Sequence, residues 1–132
     1  MGGERILIVE DNALNLKLLR DVLQVEGYAT AEAATGEDGV AAALAHPPAL
    51  VLMDIHLPGM DGVTALRTLR ADPRTAAVPV IAVTASAMPL ESAEIVSAGF
   101  DGCFVKPLDV DEILDEVRRV LDRGAELRGG AR

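Results

Sequence analysis

Short apolar runs alternate along the chain with longer stretches in which apolar residues recur at helical spacing. Five of these runs have the length of a buried strand, and they span residues 6–9, 28–31, 50–53, 78–83 and 103–105. Three of them have the β-branched, almost continuously apolar composition that is typical of strands in a parallel sheet covered on both faces. The run that begins at Tyr28 gives a weaker signal. The pattern predicts five strands, each followed by a helix.

The stretch after the first run predicts a helix with recognisable ends. Its single apolar stripe is formed by Leu16, Leu19, Val22 and Leu23. Asn12 is expected to cap its first turn. Gly27 stands where a residue with positive φ commonly ends a helix, directly before the second strand.

Four further helices are predicted over residues 35–46, 62–70, 89–98 and from 109 onward. The second ends before a His-Pro-Pro turn, because the residue before a proline is disfavoured in the helical conformation. The fourth opens on Pro89 and stops at Gly99. The last begins with a capping box formed by Asp109 and Glu112. Its apolar face consists of Ile113, Val117, Val120 and Leu121.

The alternation of strands and helices predicts an α/β fold of (βα)5 type. Crossovers between parallel strands are right-handed in almost all proteins, so the five strands are expected to form a doubly wound parallel sheet. In such sheets the ligand site lies outside the carboxyl ends of the strands. The residues that follow each apolar run are therefore the candidates for function.

Length and composition exclude several classes of protein. A chain of 132 residues provides one domain, predicted over residues 1–123, followed by a frayed tail rich in glycine and arginine at 124–132. Half of the residues are apolar, which excludes a disordered chain. No apolar run approaches the ~20 residues of a membrane-spanning helix, and no secretion leader is visible. With these features and a single cysteine, a cytoplasmic protein is expected.

The net charge of −9 bears on the partners. A chain with this charge repels phosphate backbones, so direct DNA binding is not expected. Contacts with basic or mixed protein surfaces are favoured instead.

A polar or charged group follows four of the five strands. The first strand ends in Glu10-Asp11, the third in Asp54, the fourth in Thr84-Ala85 and the fifth in Lys106-Pro107. Two carboxylates about 4 Å apart repel by roughly 4 kcal/mol at an effective dielectric constant of 20, so three of them require a cation beyond one lysine. Mg²⁺ fits this need, because it takes one or two carboxylates together with phosphate oxygens and water.

The chemistry of these groups suggests a role for each. Asp54 is placed to act as a carboxylate nucleophile that accepts a phosphoryl group. Asp11, Asp54 and a backbone carbonyl just beyond are expected to hold Mg²⁺. Thr84 and Lys106 would bind the phosphoryl oxygens, one through its hydroxyl group and the other through its charge.

These residues resemble the receiver domains of two-component response regulators. The resemblance extends from Arg5 to about Leu121 and includes the acidic pair at 10–11, the segment 53–62 around Asp54, and the pairs 84–85 and 106–107. It implies a flavodoxin-like sheet with strand order 2-1-3-4-5, and it implies that a histidine kinase or a histidine phosphotransfer protein phosphorylates Asp54. It also implies a metal site formed by Asp11, Asp54 and the His56 backbone carbonyl, with Glu10 acting through a metal-bound water.

The resemblance further implies how the phosphoryl group is sensed. Thr84 is the switch hydroxyl, the Ala85 backbone contacts the phosphoryl group, and a cis peptide bond before Pro107 aims Lys106 into the site. Mn²⁺ is expected to substitute for Mg²⁺. The protein is expected to be a monomer or a phosphorylation-dependent dimer that switches its contact with a downstream protein target.

Two residues depart from the family pattern. Glu10 replaces the more common aspartate, which lengthens the side chain by one methylene group. Cys103 stands where the family usually has the Tyr or Phe that changes rotamer with the switch threonine, and it is expected to be a small buried residue. Phe104 is adjacent, but it should point to the opposite face of the strand. Gating by an aromatic side chain is therefore in question.

The sequence favours a stand-alone receiver with no attached output domain, which takes part only in its own phosphorylation and dephosphorylation. It would act either as a phosphorelay intermediate or as an allosteric regulator. Three alternatives remain: a magnesium-dependent phosphatase with an aspartyl nucleophile, a flavodoxin-like nucleotide binder, and a degenerate receiver that only scaffolds. The phosphatase would need an acid where His56 stands, and the nucleotide binder a Ser/Thr/Gly-rich loop where Glu10 and Asp11 stand.

Overall fold

Five parallel strands form one sheet in the order β2-β1-β3-β4-β5. Four helices connect the strands, and a fifth helix follows the last strand. This computed structural model describes residues 3–57, 59–85 and 89–129. The elements in chain order are β1 (Arg5–Val9), α1 (Ala13–Val25), β2 (Ala29–Ala33), α2 (Gly36–Ala45), β3 (Leu50–Asp54), α3 (Gly62–Ala71), β4 (Val80–Thr84), α4 (Pro89–Ala98), β5 (Gly102–Val105) and α5 (Val110–Gly129). The predicted fold class and strand order are confirmed.

The sheet separates two apolar layers, and the alternation of side chains along each strand determines which layer a residue joins. On β1, Ile6 and Ile8 face one layer while Leu7 and Val9 face the other. The first layer is completed by residues of α1 and α5: Leu19, Leu23, Ile113, Val117, Val120 and Leu121. The second is completed by residues of α2 and α3: Val40, Ala43, Ala65, Leu66 and Leu69. Burial on both faces explains the continuously apolar central strands.

Side-chain caps fix where the helices begin. Asn12 accepts hydrogen bonds from the backbone of the first turn of α1, and Thr35 and Asp61 do the same for α2 and α3. The Asp109 carboxylate accepts a hydrogen bond from the Glu112 backbone at 3.0 Å, as its predicted capping role requires. Gly27 and Gly99 have positive φ angles of 94° and 104°. The chain thus turns into the next strand at both predicted stops.

Two strands begin later than the apolar pattern predicts. β2 starts at Ala29, because the Tyr28 backbone N–H bonds to Leu23 at the end of α1 instead of joining the sheet. β4 starts at Val80, because the Val78 N–H bonds to Thr75 in a turn and Pro79 has no N–H to donate. Apolar side chains continue into both turns, so hydrophobicity alone does not mark these strand ends.

The last helix continues beyond its predicted end. α5 extends to Gly129, so residues 124–129, predicted to be a frayed tail, continue the helix. Ala125, Glu126, Leu127 and Arg128 all have high helix propensity, which accounts for the extension past Gly124. Residues 130–132 lie outside the described part of the chain.

Candidate functional site

The carboxyl ends of the central strands bring the predicted polar residues to one edge of the sheet. Asp54 is the last residue of β3, where it pairs in register with Val83, and Thr84 is the last residue of β4. Glu10 follows β1 and donates its backbone N–H to Ala33 of β2. Glu10, Asp54 and Thr84 are buried, although polar residues are usually exposed. Sheet register therefore places these groups in a partly desolvated pocket.

Three carboxylates converge in this pocket. One oxygen from each of Glu10, Asp11 and Asp54 lies within 4.8 Å of the others, and Asp11 alone is exposed. Lys106 reaches the same point, with its Nζ atom 3.3 Å from Asp54 Oδ2 and 3.5 Å from Glu10 Oε1. The four predicted groups are thus brought together by three different strand ends. One ammonium group faces three carboxyl groups.

The environment of Glu10 reflects this imbalance of charge. Burial, and next the neighbouring carboxylate of Asp54, raise the pKa of Glu10 from 4.5 to about 7, although the ammonium of Lys106 acts in the opposite direction. The Asn12 backbone N–H donates to Glu10 Oε2 at 3.1 Å. Among the described residues, the buried Glu10 Oε1 accepts no hydrogen bond, and the Lys106 ammonium 3.5 Å away meets it only as an ion pair. An unsatisfied buried acceptor beside two other carboxylates is the environment that a bound cation would stabilise.

The donor set fits a hard divalent cation. All three side chains offer oxygen, and no histidine or cysteine joins the group among the described residues. Mg²⁺ prefers such ligands and keeps several of its waters, so a small cluster with one exposed carboxylate suits it. Glu10, Asp11 and Asp54 can therefore hold a magnesium ion, with the His56 carbonyl as the predicted backbone ligand.

The loop after β3 is tied back to Asp54. The His56 backbone N–H donates to Asp54 Oδ1 at 2.9 Å, and the Gly62 N–H bonds to the Ile55 carbonyl at 3.0 Å. The His56 side chain is exposed, and it lines a cavity of about 540 Å³ beside the acidic cluster together with Asp11. This open space borders Asp11 and the loop that follows Asp54.

One residue of the fifth strand differs in exposure from the sequence prediction. Cys103, expected to be buried, is exposed, because its side chain points away from the layer that α5 covers. Phe104 points into that layer and is buried beside Ile113 and Val117, as the alternation of a strand predicts. Phe104, the one aromatic residue of β5, therefore does not lie on the exposed face of this strand. The Lys106–Pro107 peptide bond is cis.

Sequence analysis missed one residue that touches the loop of the site. Glu37, in the first turn of α2, accepts a hydrogen bond from the Met60 backbone N–H across 23 positions of sequence. An acid in a first helical turn is common because it interacts favourably with the helix dipole. No local signal therefore distinguishes Glu37 from its neighbour Asp38.

Comparison with known proteins identifies relatives over most of the chain. The family of response regulator receiver domains matches residues 6–118. The polar-differentiation response regulator DivK of Brucella ovis is 37% identical over 116 residues, which cover 88% of this chain and 94% of the relative.

Solved structures show the same architecture. The receiver domain of a sensor histidine kinase from Pseudomonas aeruginosa PAO1, solved with a magnesium ion coordinated in its active-site cleft, has a TM-score of 0.85 and 32% identity over 92% of this chain and 99% of that one. A response regulator from Chloroflexus aurantiacus has a TM-score of 0.88 and 29% identity over the same shares of the two chains. In the described part of this chain, no helix is long and apolar enough to span a membrane.

Proposed function

The chain belongs to the family of response regulator receiver domains, and we propose that it carries a signal by accepting a phosphoryl group on Asp54. The observation that carries the proposal is the convergence of Glu10, Asp11 and Asp54 within 4.8 Å, with Lys106 as the one nearby cation among the described residues. This charge pattern suits a metal-assisted phosphoryl acceptor, because the transfer depends on positioning and on neutralised charge.

In the proposed reaction Asp54 is the nucleophile. The phosphodonor is a phosphohistidine of a histidine kinase or of a histidine phosphotransfer protein. An Asp54 carboxylate oxygen forms the new P–O bond while the P–N bond to the donor imidazole breaks, and the electron pair of that bond remains on the imidazole. The hydrogen bond from the His56 N–H and the contact with Lys106 hold the Asp54 carboxylate in one orientation for this attack.

The remaining residues of the site would bind the metal ion and the phosphoryl oxygens. Asp11, Asp54 and the His56 carbonyl would hold Mg²⁺, or Mn²⁺ in its place, while Glu10 acts through a bound water. When bound, the ion neutralises charge that develops on the phosphoryl oxygens. The magnesium ion in the similar Pseudomonas receiver domain supports this assignment. Lys106 contacts a phosphoryl oxygen as a compact charge.

The switch would begin at Thr84. Its hydroxyl and the Ala85 backbone would bind the phosphoryl group, and Lys106 would contact the same group from the end of β5. Phosphorylation thereby changes a two-state equilibrium of the surface that includes α4, β5 and α5. Because Cys103 takes the place of an aromatic residue, this surface changes without the rotation of an aromatic ring on β5. A downstream protein target would recognise the change of this surface.

The net charge of the chain and its family indicate which partners the protein would have. Cytoplasmic histidine kinases or phosphotransfer proteins would be the donors, and the net charge of −9 disfavours direct DNA binding. The protein would work as a monomer or as a phosphorylation-dependent dimer. Its only chemistry would be its own phosphorylation and dephosphorylation, either as a relay intermediate or as an allosteric regulator.

Labelling with a phosphodonor tests the proposal directly. We expect incubation with acetyl phosphate and Mg²⁺ to add one phosphoryl group per chain, and Asp54→Asn to abolish the label. Asp38→Asn, which removes an exposed acid on α2, is the matched control and should label normally. Undiminished label in Asp54→Asn would refute the assignment of the acceptor. Turnover of a small phosphate ester in large excess over protein would instead indicate a phosphatase.

A further inference from the structure

The loop between β3 and α3 is fixed at both ends by contacts already described. At its start the His56 N–H bonds to Asp54, and at its end Asp61 caps α3 through a hydrogen bond from Thr64 at 2.8 Å. Leu57 is buried in the layer formed by α2 and α3, and Met60 packs partly against the same layer. Between these ends, residues 59 and 60 are the part of the loop that faces α2.

The first turn of α2 lies directly against this loop. A Cβ atom on Gly36 would come within 2.5 Å of the Met60 carbonyl oxygen, so the helix start and the loop backbone are in close contact there. Gly59 adopts a positive φ of 74°, and a Cβ atom on it would lie 3.0 Å from Glu37 Oε2. The Glu37 carboxylate thus lies over the turn at 59–60.

The same carboxylate holds the loop by a hydrogen bond. Glu37 Oε2 accepts the Met60 backbone N–H at 3.3 Å. A bond between an ionised acceptor and a backbone donor is stronger than one between neutral groups. Among the described residues, the Asp38 carboxylate beside it makes no hydrogen bond or ion pair, although both acids lie in the first turn of α2. Glu37 therefore has a contact that a general preference for acids at helix starts does not explain.

From these contacts we infer that Glu37 is a positioning residue for the phosphoacceptor site. It anchors residues 59–60 of the loop that carries the His56 carbonyl, and it thereby helps to position the backbone ligand that the site offers to Mg²⁺. This inference rests on the proposed function. Glu37 itself touches neither the acidic cluster nor Lys106 in any contact found among the described residues, so its effect would be indirect.

Two measurements on the full chain test the inference. The first is amide hydrogen exchange at Met60 without Mg²⁺, and the second is Mg²⁺ affinity by calorimetry. We expect Glu37→Ala to speed Met60 exchange and to weaken Mg²⁺ binding, each by about three- to tenfold, which is the usual range for one lost hydrogen bond. Glu37→Gln keeps an oxygen acceptor but loses the charge, so both effects should be smaller than in Glu37→Ala.

Asp38→Ala is the matched control, because it removes an acid from the same helical turn without touching the loop. If Asp38→Ala has the same effect as Glu37→Ala, the helix dipole is responsible and the inference is overturned. It is also overturned if Glu37→Ala speeds exchange but leaves Mg²⁺ affinity unchanged. If the unmodified protein binds no Mg²⁺, the proposed function fails, and with it the positioning role. Exchange at Met60 then still decides whether the contact itself exists.

Discussion

Replacing Glu10 by glutamine should change how the stability of the protein depends on pH. In the unfolded chain the carboxyl group of Glu10 titrates near 4.5, whereas burial and the neighbouring Asp54 raise its pKa to about 7 in the folded protein. The folded state therefore binds the proton more tightly than the unfolded state. Glu10 contributes stability below pH 4.5, and this contribution is lost as the pH rises to about 7.

The size of the effect follows from the two pKa values. At about 1.4 kcal/mol per pKa unit, a rise from 4.5 to about 7 corresponds to a loss of about 3 kcal/mol. Glutamine is nearly isosteric, keeps an acceptor for the Asn12 N–H and carries no charge. The Glu10→Gln variant should therefore not lose this stability as the pH rises. Its free energy of unfolding, relative to the unmodified protein, should increase by about 3 kcal/mol between pH 4.5 and pH 8.

Urea denaturation at several pH values, without divalent cations, measures this difference. Glu112→Gln, a change of an exposed glutamate on α5, serves as the control and should give a nearly constant difference. Adding Mg²⁺ at pH 8 should stabilise the unmodified protein more than Glu10→Gln, because the ion compensates a charge that the variant lacks. A difference that stays flat across this pH range, or that decreases with rising pH, would refute the electrostatic account of the site.

Two further predictions concern α3 and β5. Arg70 donates hydrogen bonds to the Val78 carbonyl and, at 3.0 Å, to the Asp101 carboxylate. Arg70→Ala should therefore lower the free energy of unfolding by about 1–3 kcal/mol in urea. Arg74→Ala, which removes an exposed ion pair, should leave the free energy of unfolding nearly unchanged, and equal losses in the two variants would contradict the role of Arg70. Because Cys103 is exposed, it should react with a thiol reagent in the folded protein, whereas modification only upon unfolding would contradict its placement on β5.

Much of the fold follows from local patterns in the sequence. Alternating side chains on β1, caps such as Asn12 and Asp109, and the positive φ of Gly27 each have a signature of a few residues. The ends of β2 and β4 had no such signature, because apolar side chains continue into the turns. At these positions, the hydrogen-bond partner of each backbone N–H group determines where the strand begins.

The candidate site was predictable because parallel strands deliver their ends to one edge of a sheet. Asp54 and Lys106 are 52 positions apart, yet both follow apolar runs, and this shared context identified them. Glu37 had no such context, because its contact with Met60 depends on how α2 packs against a loop. The orientation of Cys103 was misjudged for a related reason. Residue size and polarity suggested burial, but the pairing of β5 and the coverage by α5 determine which face is open.

Calorimetric titration of the purified chain with Mg²⁺ at pH 8 tests the proposed site most directly. We expect one binding site per chain, strongly weakened in Asp11→Asn, which removes the exposed carboxylate of the cluster. Absence of binding, or binding that Asp11→Asn leaves unchanged, would contradict the claim that these strand ends form a magnesium-dependent phosphoryl acceptor.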